Sequence, residues 1–572
     1  MRSKKQKKLS SFMVAGSEAN HHYPDCREGS EGCVDRVRRC IQNQPLRIVI
    51  SQAIVFSLLF VLLFACPLWA TTYYVKNGGN DSLAGTSDAT AWATIAKVQA
   101  AVKSGDTVYF REGHVWTGTS HPLLSTTAGV TYYGLGYGTT GTRAKLQSSA
   151  GTTYSANGVI NIDASDVTVQ GFEVDANQQS VGGIYVGLHT LTNISDIVID
   201  NCVVHDIGGD EAMPTQYYYG IIVGQAHYKI TSNVTIMNCE VYRTGHEGIS
   251  LYPGRGVISG VSGSLDTITV RGCTIHDTGY WGGTTWGHGL DVCLNAKNVL
   301  FEYNTIYNTG SAGIAVVTYA DNPSPGYPNN VTIRYNYVYN TLDMTGIALG
   351  PQNNSWTGWG SVNIYGNILY NGRIYMGGGN FWNAPLKIYN NTVYNTVDNL
   401  KGMWIYETAK NTSNIEIKNN IIYTGGGSAA FCIDDYGSLI SDNKHSNNLY
   451  YRTSGALVRR DSSTSLYTSS NINTWESTAQ NANPIFAGGT LPSGFVETSE
   501  GGMVPDTNYF TVKSGNAVYN GMTLGSPYNG CINWTGSANV ACRQAGAYDI
   551  GAYQTPTVVT PVPRTKISRL AK

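Results

Sequence analysis

The sequence predicts an all-β fold, a parallel β-helix wound as a solenoid of about ten coils, from its composition, an internal repeat and aligned corner residues. Charged residues make up only 13% of the 572-residue chain, whereas glycine contributes 66 residues and tyrosine 39. Such a composition favours strands, because β-branched and aromatic side chains suit a pleated surface. The net charge of −1 argues against a nucleic-acid-binding protein, because the chain offers no basic field to phosphates.

The repeat is a unit in which apolar and polar residues alternate, a two-residue corner intervenes, and the alternation resumes. The apolar residues that begin the units lie 24 to 37 positions apart: Val167, Ile197, Val234, Ile268, Val299, Val331, Val362, Leu386 and Ile415. A second short strand follows each corner, as at residues 248–251 and 289–292. Strands this short cannot bury a face alone, so stacked coils must supply both the core and the backbone partners. No unit has a helical period or the length of a propeller blade, so helical repeats and propellers are excluded.

The corner residues form a column in register. Its members are Phe172, Cys202, Cys239, Cys273, Asn304, Asn336, Asn367, Asn391, Asn420 and Asn448. The asparagines predict a ladder of amides that bond from coil to coil, and the cysteines are interpreted as packing residues of the same column rather than ligands. Three residues further on, a second column predicts an aromatic stack in which the two histidines are structural: His205, Tyr242, His276, Tyr307, Tyr339, Tyr370, Tyr394 and Tyr423.

Both ends of this region resemble a known family. YYVKNGGNDS at residues 73–82, AWATI at 91–95 and VKSGDTVYF at 102–110 resemble the opening of right-handed parallel β-helix proteins, which share the fold of pectate lyases and polygalacturonases. NPIF at 483–486 and YDIGAY at 548–553 resemble the closing segments of that family. The resemblance covers residues 72–555. It implies right-handed coils and a short N-terminal capping helix, here with apolar residues Trp92, Ile95, Val98 and Val102 at suitable spacing.

The N-terminal region predicts export. Residues 1–46 form a polar leader that we expect to be disordered, and residues 47–70 are apolar after Arg47. They predict a signal peptide cleaved after Ala70. An uncleaved membrane anchor and a lipoprotein-type box ending at Cys66 remain alternatives. We therefore expect a secreted or cell-surface monomer that meets the membrane only through residues 47–70, if these are retained.

The remaining organisation follows from the repeat. Residues 71–455 are predicted to form the β-helix, residues 456–555 the C-terminal coils and cap, and residues 556–572 a flexible tail. In an oxidising compartment Cys531 and Cys542 are a plausible disulfide. No Cys or His cluster has zinc-ligand spacing, so no metal ligand is predicted.

The candidate chemistry lies on the second short strands, whose outward positions form one column. Its members are Ile222, Ser250, Asp291, Ala315, Ala348, Tyr375 and Trp404. The column is polar only at Ser250 and Asp291, and the residues just before these strands add His246, Glu247 and His288. We predict that His246, Glu247, His288 and Asp291 lie on neighbouring coils as catalytic acid and base. The alternative is that they decorate turns.

The reaction type stays open at this stage. Asp210 and Glu211, one coil earlier, are predicted to extend the site toward substrate. Gly287-His288-Gly289 is similar to the Gly-His-Gly signature of polygalacturonases, but the aspartate motifs and the Arg-x-Lys of that family are missing, and so is the Asp-Pro-His-Asp of alginate epimerases. Two carboxylates about 5 to 9 Å apart would permit glycoside hydrolysis. Lyases of this fold imply calcium or a cation, and a Lys or Arg base. The candidates are Arg255, Lys297, Arg373 and Lys401. No motif identifies calcium, so the cofactor is left undecided.

Aromatic residues predict where a sugar chain lies. Six tryptophans fall in the loops after the corner column, on coils three to seven: Trp281, Trp286, Trp356, Trp359, Trp382 and Trp404. Because exposed tryptophan is costly, they and Tyr375 are predicted to stack on sugar rings along a groove; the alternative is that the loops bury their own tryptophans. The sequence thus predicts an extracellular lyase or glycoside hydrolase acting on an acidic polysaccharide. The alternatives are an epimerase and a non-enzymatic glycan-binding or structural surface protein.

Overall fold

The computed structural model describes most of the repeat region. The described residues are 70–118, 124–150, 158–179, 182–208, 218–224, 229–253, 263–279, 287–318, 327–351, 360–377, 384–406, 414–437, 440, 444–461, 465–497, 503–505, 507, 509–510, 512–514, 522, 524, 528 and 551. All of them belong to one compact unit, Trp69–Lys572. The predicted leader, the apolar segment up to residue 69, the tail, and Cys531 and Cys542 lie outside them. Among the described residues, no helix has both the length and the apolar character needed to cross a membrane.

The described chain winds as a right-handed parallel β-helix, which confirms the predicted fold class. It has three long sheets, and each coil contributes one strand to the first, second and third sheet in turn. The first sheet contains Thr72–Val75, Thr107–Phe110, Thr131–Tyr133, Val167–Gln170, Ile194–Asp200, Ile230–Met237, Ser264–Arg271, Ala296–Glu302, Asn329–Arg334, Val362–Tyr365, Leu386–Tyr389, Ile415–Lys418 and His445–Ser446.

The other two sheets follow the same order along the axis. The second sheet contains Val115–Gly118, Lys145–Ser148, Glu173–Asp175, Val203–Ile207, Glu240–Thr244, Thr274–Thr278, Thr305–Thr309, Tyr337–Tyr339, Ile368–Tyr370, Thr392–Tyr394, Ile421–Thr424 and Leu449–Arg452. The third sheet contains Leu124–Ser125, Gly158–Ile162, Gly182–Val186, Ile221–Gly224, Ile249–Tyr252, Leu290–Cys293, Ile314–Thr318, Thr345–Pro351, Arg373–Gly377, Met403–Tyr406, Ile433–Asp435, Val458–Arg460 and, antiparallel to the last of these, Ser465–Tyr467.

Thirteen described strands in the first sheet exceed the ten coils expected from the sequence. The extra coils lie at the N-terminal end, where the connection between the first and second sheets is longer than two residues. It spans residues 111–114 in one early coil and 134–144 in the next. The corner signature that reveals the repeat therefore begins only at Phe172.

The two-residue corner between the first and second sheets explains the repeat chemically. Its first residue has a left-handed backbone at every coil from Gly171 onward, for example φ 51° at Asn201 and 67° at Gly366. Glycine and asparagine tolerate this conformation best, which accounts for their frequency at the position. Tyr303 and Tyr335 adopt it as well, with φ of 56° and 57°.

The second corner residue forms the predicted amide ladder. The side-chain amide of Asn304 donates to Oδ1 of Asn336 at 2.9 Å, and each later step down to Asn448 measures 3.0 Å. The same Oδ1 atom also accepts the backbone N–H of the preceding ladder residue, as from Asn336 to Asn367 at 3.0 Å. All six asparagines of the ladder are fully buried. The ladder ends on Glu476, whose carboxylate accepts from the backbone and side chain of Asn448 at 2.8 and 3.0 Å.

The aromatic column is likewise confirmed. The ring of Tyr242 lies between His205 at 5.1 Å and His276 at 5.0 Å, nearly parallel to both. Both histidines also bond carboxylates on their own sheet, such as Asp206 and Asp277. The corner cysteines Cys202, Cys239 and Cys273 are buried free thiols, as the packing interpretation requires.

Short helices lie near the two ends of the described solenoid. The predicted capping helix is Ile95–Ala101, begun by Thr94, whose hydroxyl accepts the N–H of Lys97, and anchored by buried Val98. A three-residue 3₁₀ helix at Asp88–Thr90 precedes it. Near the other end lies the helix Ile472–Trp475. Two further antiparallel pairs are Ile485–Phe486 with Val512–Ser514, and Phe495–Glu497 with Met503–Pro505. Phe486 and Phe510 pack against Tyr394 of the second sheet, so this segment lies along the side of the solenoid.

Candidate acid–base site on the third sheet

The third sheet presents the outward column that the sequence predicts. Ser250 and Asp291 are paired directly across neighbouring strands. Their chain neighbours Ile249 and Leu290 belong to the core, so alternation along the strand turns Ser250 and Asp291 away from it. The pairing continues in register, and the column holds Ile222, Ser250, Asp291, Ala315, Ala348, Tyr375 and Trp404.

Glycines at the start of these strands bring Glu247 and His288 close together. A Cβ at Gly248 or Gly289 would lie 2.4 or 2.3 Å from an isoleucine methyl of the second sheet, so only glycine allows this close approach. The N–H of Gly248 donates to the carbonyl of His288 at 3.0 Å. Glu247 and His288 therefore precede equivalent glycines on consecutive coils.

The structure buries all four predicted catalytic side chains. His246 and His288 are 6% and 7% exposed, and Glu247 and Asp291 are 1% exposed. Nδ1 of His246 bonds Oε2 of Glu247, and the thiol of Cys293 donates to Oδ2 of Asp291 at 2.8 Å.

Several polar atoms of this cluster have no hydrogen-bond partner among the described residues. They are Oε1 of Glu247, Oγ of Ser250, Nδ1 of His288 and Oδ1 of Asp291. Ser250 and Asp291, however, are paired on adjacent strands, and the hydroxyl of Ser250 lies close enough to Asp291 to lower the pKa of that carboxyl. Buried polar atoms in folded proteins are nearly always bonded, because losing water without a replacement costs about 1–3 kcal/mol per group. Because Ser250 and Asp291 face each other, Oε1 of Glu247 and Nδ1 of His288 are the two atoms on adjacent coils that another molecule could bond.

Burial also sets the protonation of the cluster. It raises the pKa of Asp291 to about 6, although the hydrogen bond from Cys293 acts in the opposite direction. It lowers the pKa of His246 to about 3, with a further contribution from the nearby His288, and lowers the pKa of His288 to about 4. Near pH 6 both imidazoles are therefore neutral, while Asp291 exchanges its proton.

Two residues of this cluster were missed by the sequence prediction. The ring of Tyr219 meets that of His246 edge-on at 5.6 Å, and burial followed by the charge of Asp291 raises the pKa of Tyr219. Tyr219 precedes Gly220 as Glu247 precedes Gly248, so extending the column by one coil would have found it. Cys293 lies two residues after Asp291 on the same face, a spacing that the strand period also provides.

The other predicted substrate-binding residues fall into two groups. Tyr375 and Trp404 lie further along the same outward column, partly exposed, with ring centroids 5.1 Å apart. The rest lie outside the described residues and stay predictions: Asp210, Glu211, Trp281, Trp286, Trp356, Trp359 and Trp382. Arg255 is outside them too. Lys297 lies on the first sheet, where it pairs with Asp266 at 3.3 Å, and so is remote from the third-sheet column.

One group among the described residues has the geometry of a metal site, although no motif indicated it. Ligand atoms of Glu173, Asp175 and His205 lie within 4.8 Å of one another. However, the ammonium of Lys145 contacts Glu173 at 2.5 Å and Asp175 at 3.4 Å, and Gln147 donates to Asp175 at 2.7 Å. The ammonium of Lys145 thus already contacts both carboxylates and balances one of their two charges.

The fold and this cluster together define a right-handed parallel β-helix protein with an acid–base group on its third sheet. A family model described as the right handed beta helix region matches residues 155–324 and 218–383. No curated protein matches the sequence.

Solved structures with a similar fold include three proteins. Pectate lyase Pel9A is 14% identical, with 85% of this chain and 96% of that chain covered and a TM-score of 0.45. The A-module of mannuronan C-5 epimerase AlgE4 from Azotobacter vinelandii is 16% identical, with coverages of 68% and 95% and a TM-score of 0.38. The GH136 lacto-N-biosidase from Eubacterium ramulus is 13% identical, with coverages of 72% and 67% and a TM-score of 0.40.

Proposed function

We propose that this chain is an extracellular polysaccharide-active enzyme, a lyase or glycoside hydrolase, whose reacting bond lies over Glu247, His288 and Asp291. The observation that carries the proposal is the set of buried, unbonded polar atoms on two adjacent coils. Unbonded buried polar atoms also occur elsewhere in the described chain, as at Ser148 and Trp475, but in the cluster they belong to an acid and an imidazole on neighbouring coils. Export is proposed from residues 47–70 alone.

The protonation states suggest roles for the carboxyl groups. Because burial raises the pKa of Asp291 to about 6, this group still holds a proton in mildly acidic solution and can donate it to the glycosidic oxygen that leaves. Glu247, bonded to His246, serves as the partner carboxylate. In hydrolysis Glu247 acts either as the base that activates a water molecule or as the nucleophile that attacks the sugar carbon. In elimination a base removes the proton beside a uronate carboxyl, the electron pair forms a carbon–carbon double bond, and the glycosidic bond breaks.

A binding protein without turnover is the second candidate. The observation in its favour is burial, since His246, Glu247, His288 and Asp291 are at most 7% exposed. The outward rings of Tyr375 and Trp404 would then hold the glycan without reaction.

A panel of pectin, alginate, chondroitin and xylan separates these functions. Ultraviolet absorbance of unsaturated products reports a lyase, and new reducing ends without that absorbance report a hydrolase. Glu247→Gln should abolish whichever activity appears. The matched control is Glu240→Gln, which changes a half-exposed glutamate of the second sheet and should retain activity. Full activity in Glu247→Gln would remove the site, and binding without any product would favour the second candidate.

A further inference from the structure

A second group of side chains lies on the same outward column, beyond two alanines. Strand pairing places Ala315 next to Asp291, then Ala348, Tyr375 and Trp404 on successive coils. At about 4.8 Å per coil, Tyr375 and Trp404 lie about 14 and 19 Å from Asp291 along the axis. The two alanines between them add no large side chain to this column, and Ala315 is itself fully buried in a cluster with Cys293.

Two cations accompany these rings. The guanidinium carbon of Arg373 lies 5.0 Å from the ring centre of Trp404 and 5.7 Å from that of Tyr375. Nζ of Lys401 lies 3.9 Å from the ring centre of Trp404. Both cations therefore sit against aromatic faces, an arrangement that holds them in place when partly desolvated.

Arg373 has no carboxylate within ion-pair distance among the described residues. Its Nε donates to Oγ1 of Thr345 at 3.1 Å. Burial lowers the pKa of Arg373, and the charge of Asp343 only partly opposes this effect. A guanidinium carries five N–H donors, so a partly buried Arg373 retains donors suited to a planar anion.

Lys401 is only partly neutralised. Its Nζ lies 3.3 Å from Oδ2 of Asp434, a fully buried carboxylate. Arg459 already binds both oxygens of Asp434 at 2.7 Å each. Since Arg459 alone matches the charge of Asp434, Lys401 and Arg373 leave this end of the column positively charged.

We propose that Arg373 and Lys401, set against Trp404 and Tyr375, bind an acidic group of the polysaccharide, a carboxylate or a sulfate, three to four coils from the reacting bond. The aromatic rings stack on the face of the sugar, and the two cations bind its anionic substituent. This inference rests on the proposed function, because it takes the substrate to be an acidic polysaccharide. It also requires a substrate of several units to span both groups.

Equilibrium binding in an Asp291→Asn background tests the subsite without turnover. The ligands are oligogalacturonates for carboxylate, chondroitin sulfate oligosaccharides for sulfate, and neutral xylo-oligosaccharides. Arg373→Gln should weaken binding of one acidic class on the order of tenfold and reduce its salt dependence, with neutral ligands unchanged. Arg373→Lys should recover part of the affinity, which a folding defect would not permit.

The matched control is Arg271→Gln, which removes an arginine that also lies over a tyrosine ring, 5.6 Å from Tyr303, but on the first sheet. It should leave all affinities unchanged. Equal losses for acidic and neutral ligands, no loss, or no binding of any acidic ligand would overturn the subsite. The two proposals fail separately. If acidic ligands bind in a way that depends on Arg373 but the unmodified protein turns over no substrate, the subsite stands and the enzyme proposal fails. If the protein turns over a substrate and Arg373→Gln changes neither binding nor turnover, the enzyme proposal stands and the subsite fails.

Discussion

The amide ladder and the third-sheet cluster bury polar groups to the same degree but treat them in opposite ways. In the ladder, the amide of Asn367 donates to Asn391 at 3.0 Å and to the carbonyl of Ile333 at 2.8 Å, while its oxygen accepts from Asn336. In the cluster, Glu247 keeps an oxygen and His288 a ring nitrogen unbonded among the described residues. Bonded buried groups stabilise the fold, whereas unbonded ones cost stability. The ladder is therefore interpreted as scaffold and the cluster as the candidate site, an interpretation that also uses the acid–base character of the cluster, because single unbonded atoms occur elsewhere too.

The largest expected effect is on activity. Asp291→Asn removes the proton donor while keeping the shape of the side chain, and should lower kcat by about 100-fold or more. Initial rates on the substrate found in the polysaccharide panel measure it. Normal rates in this variant would show that Asp291 has a structural role, and the cluster would then no longer differ in function from the amide ladder.

The second-largest effect is expected in the amide ladder, where a substitution should lower the free energy of unfolding rather than the activity. Asn367→Ala leaves the amide of Asn336 without its acceptor and removes two donors, at a cost of about 3 kcal/mol in the free energy of unfolding. Denaturant titration measures it. The control Asn340→Gly alters an exposed asparagine whose side chain bonds, among the described residues, Asn308 in the neighbouring coil; glycine tolerates its left-handed backbone (φ 51°), so the change should cost about 1 kcal/mol or less. Equal losses would show that burial of the ladder adds nothing.

The cluster should instead make stability depend on pH. The folded pKa of Asp291, about 6, exceeds its ordinary value, so the group favours folding at low pH and this contribution is lost as pH rises from about 4 to 6. The loss amounts to about 3 kcal/mol. Unfolding at pH 4 and pH 7 should therefore show a smaller difference in Asp291→Asn than in the unmodified protein. Identical pH profiles would contradict the raised pKa.

The smallest effect is expected in the aromatic column. His276→Phe keeps a ring between Tyr242 and Tyr307 but removes the hydrogen bond to Asp277, so stability should fall by about 1–2 kcal/mol. Activity should not change, since His276 is on the second sheet. Thermal unfolding and the same rate assay measure both quantities, and a large loss of activity would assign chemistry to a column that we regard as structural.

Much of the fold could be predicted because each repeat unit shows the same residue types at the same short spacings. The corner at residues 303–304 shows an asparagine in the same place as the corner at 335–336, and two-residue alternation fixes which neighbours face the core. The early coils were harder, because the long connection at residues 134–144 hides the corner. For the candidate site, the shared column placed Ser250 beside Asp291 correctly.

The sequence by itself determined the winding of the chain, the ladder and the outward column, since each follows from residue type at a regular spacing. Only the tertiary structure decided which buried atoms remain unbonded and which cations lack a carboxylate. Tyr219 and Cys293 enter the cluster through packing between coils, and Lys401 meets Asp434 across neighbouring strands. Hydrogen bonding and desolvation depend on every group packed around an atom, and those groups come from coils that lie 24 to 37 residues apart in the chain.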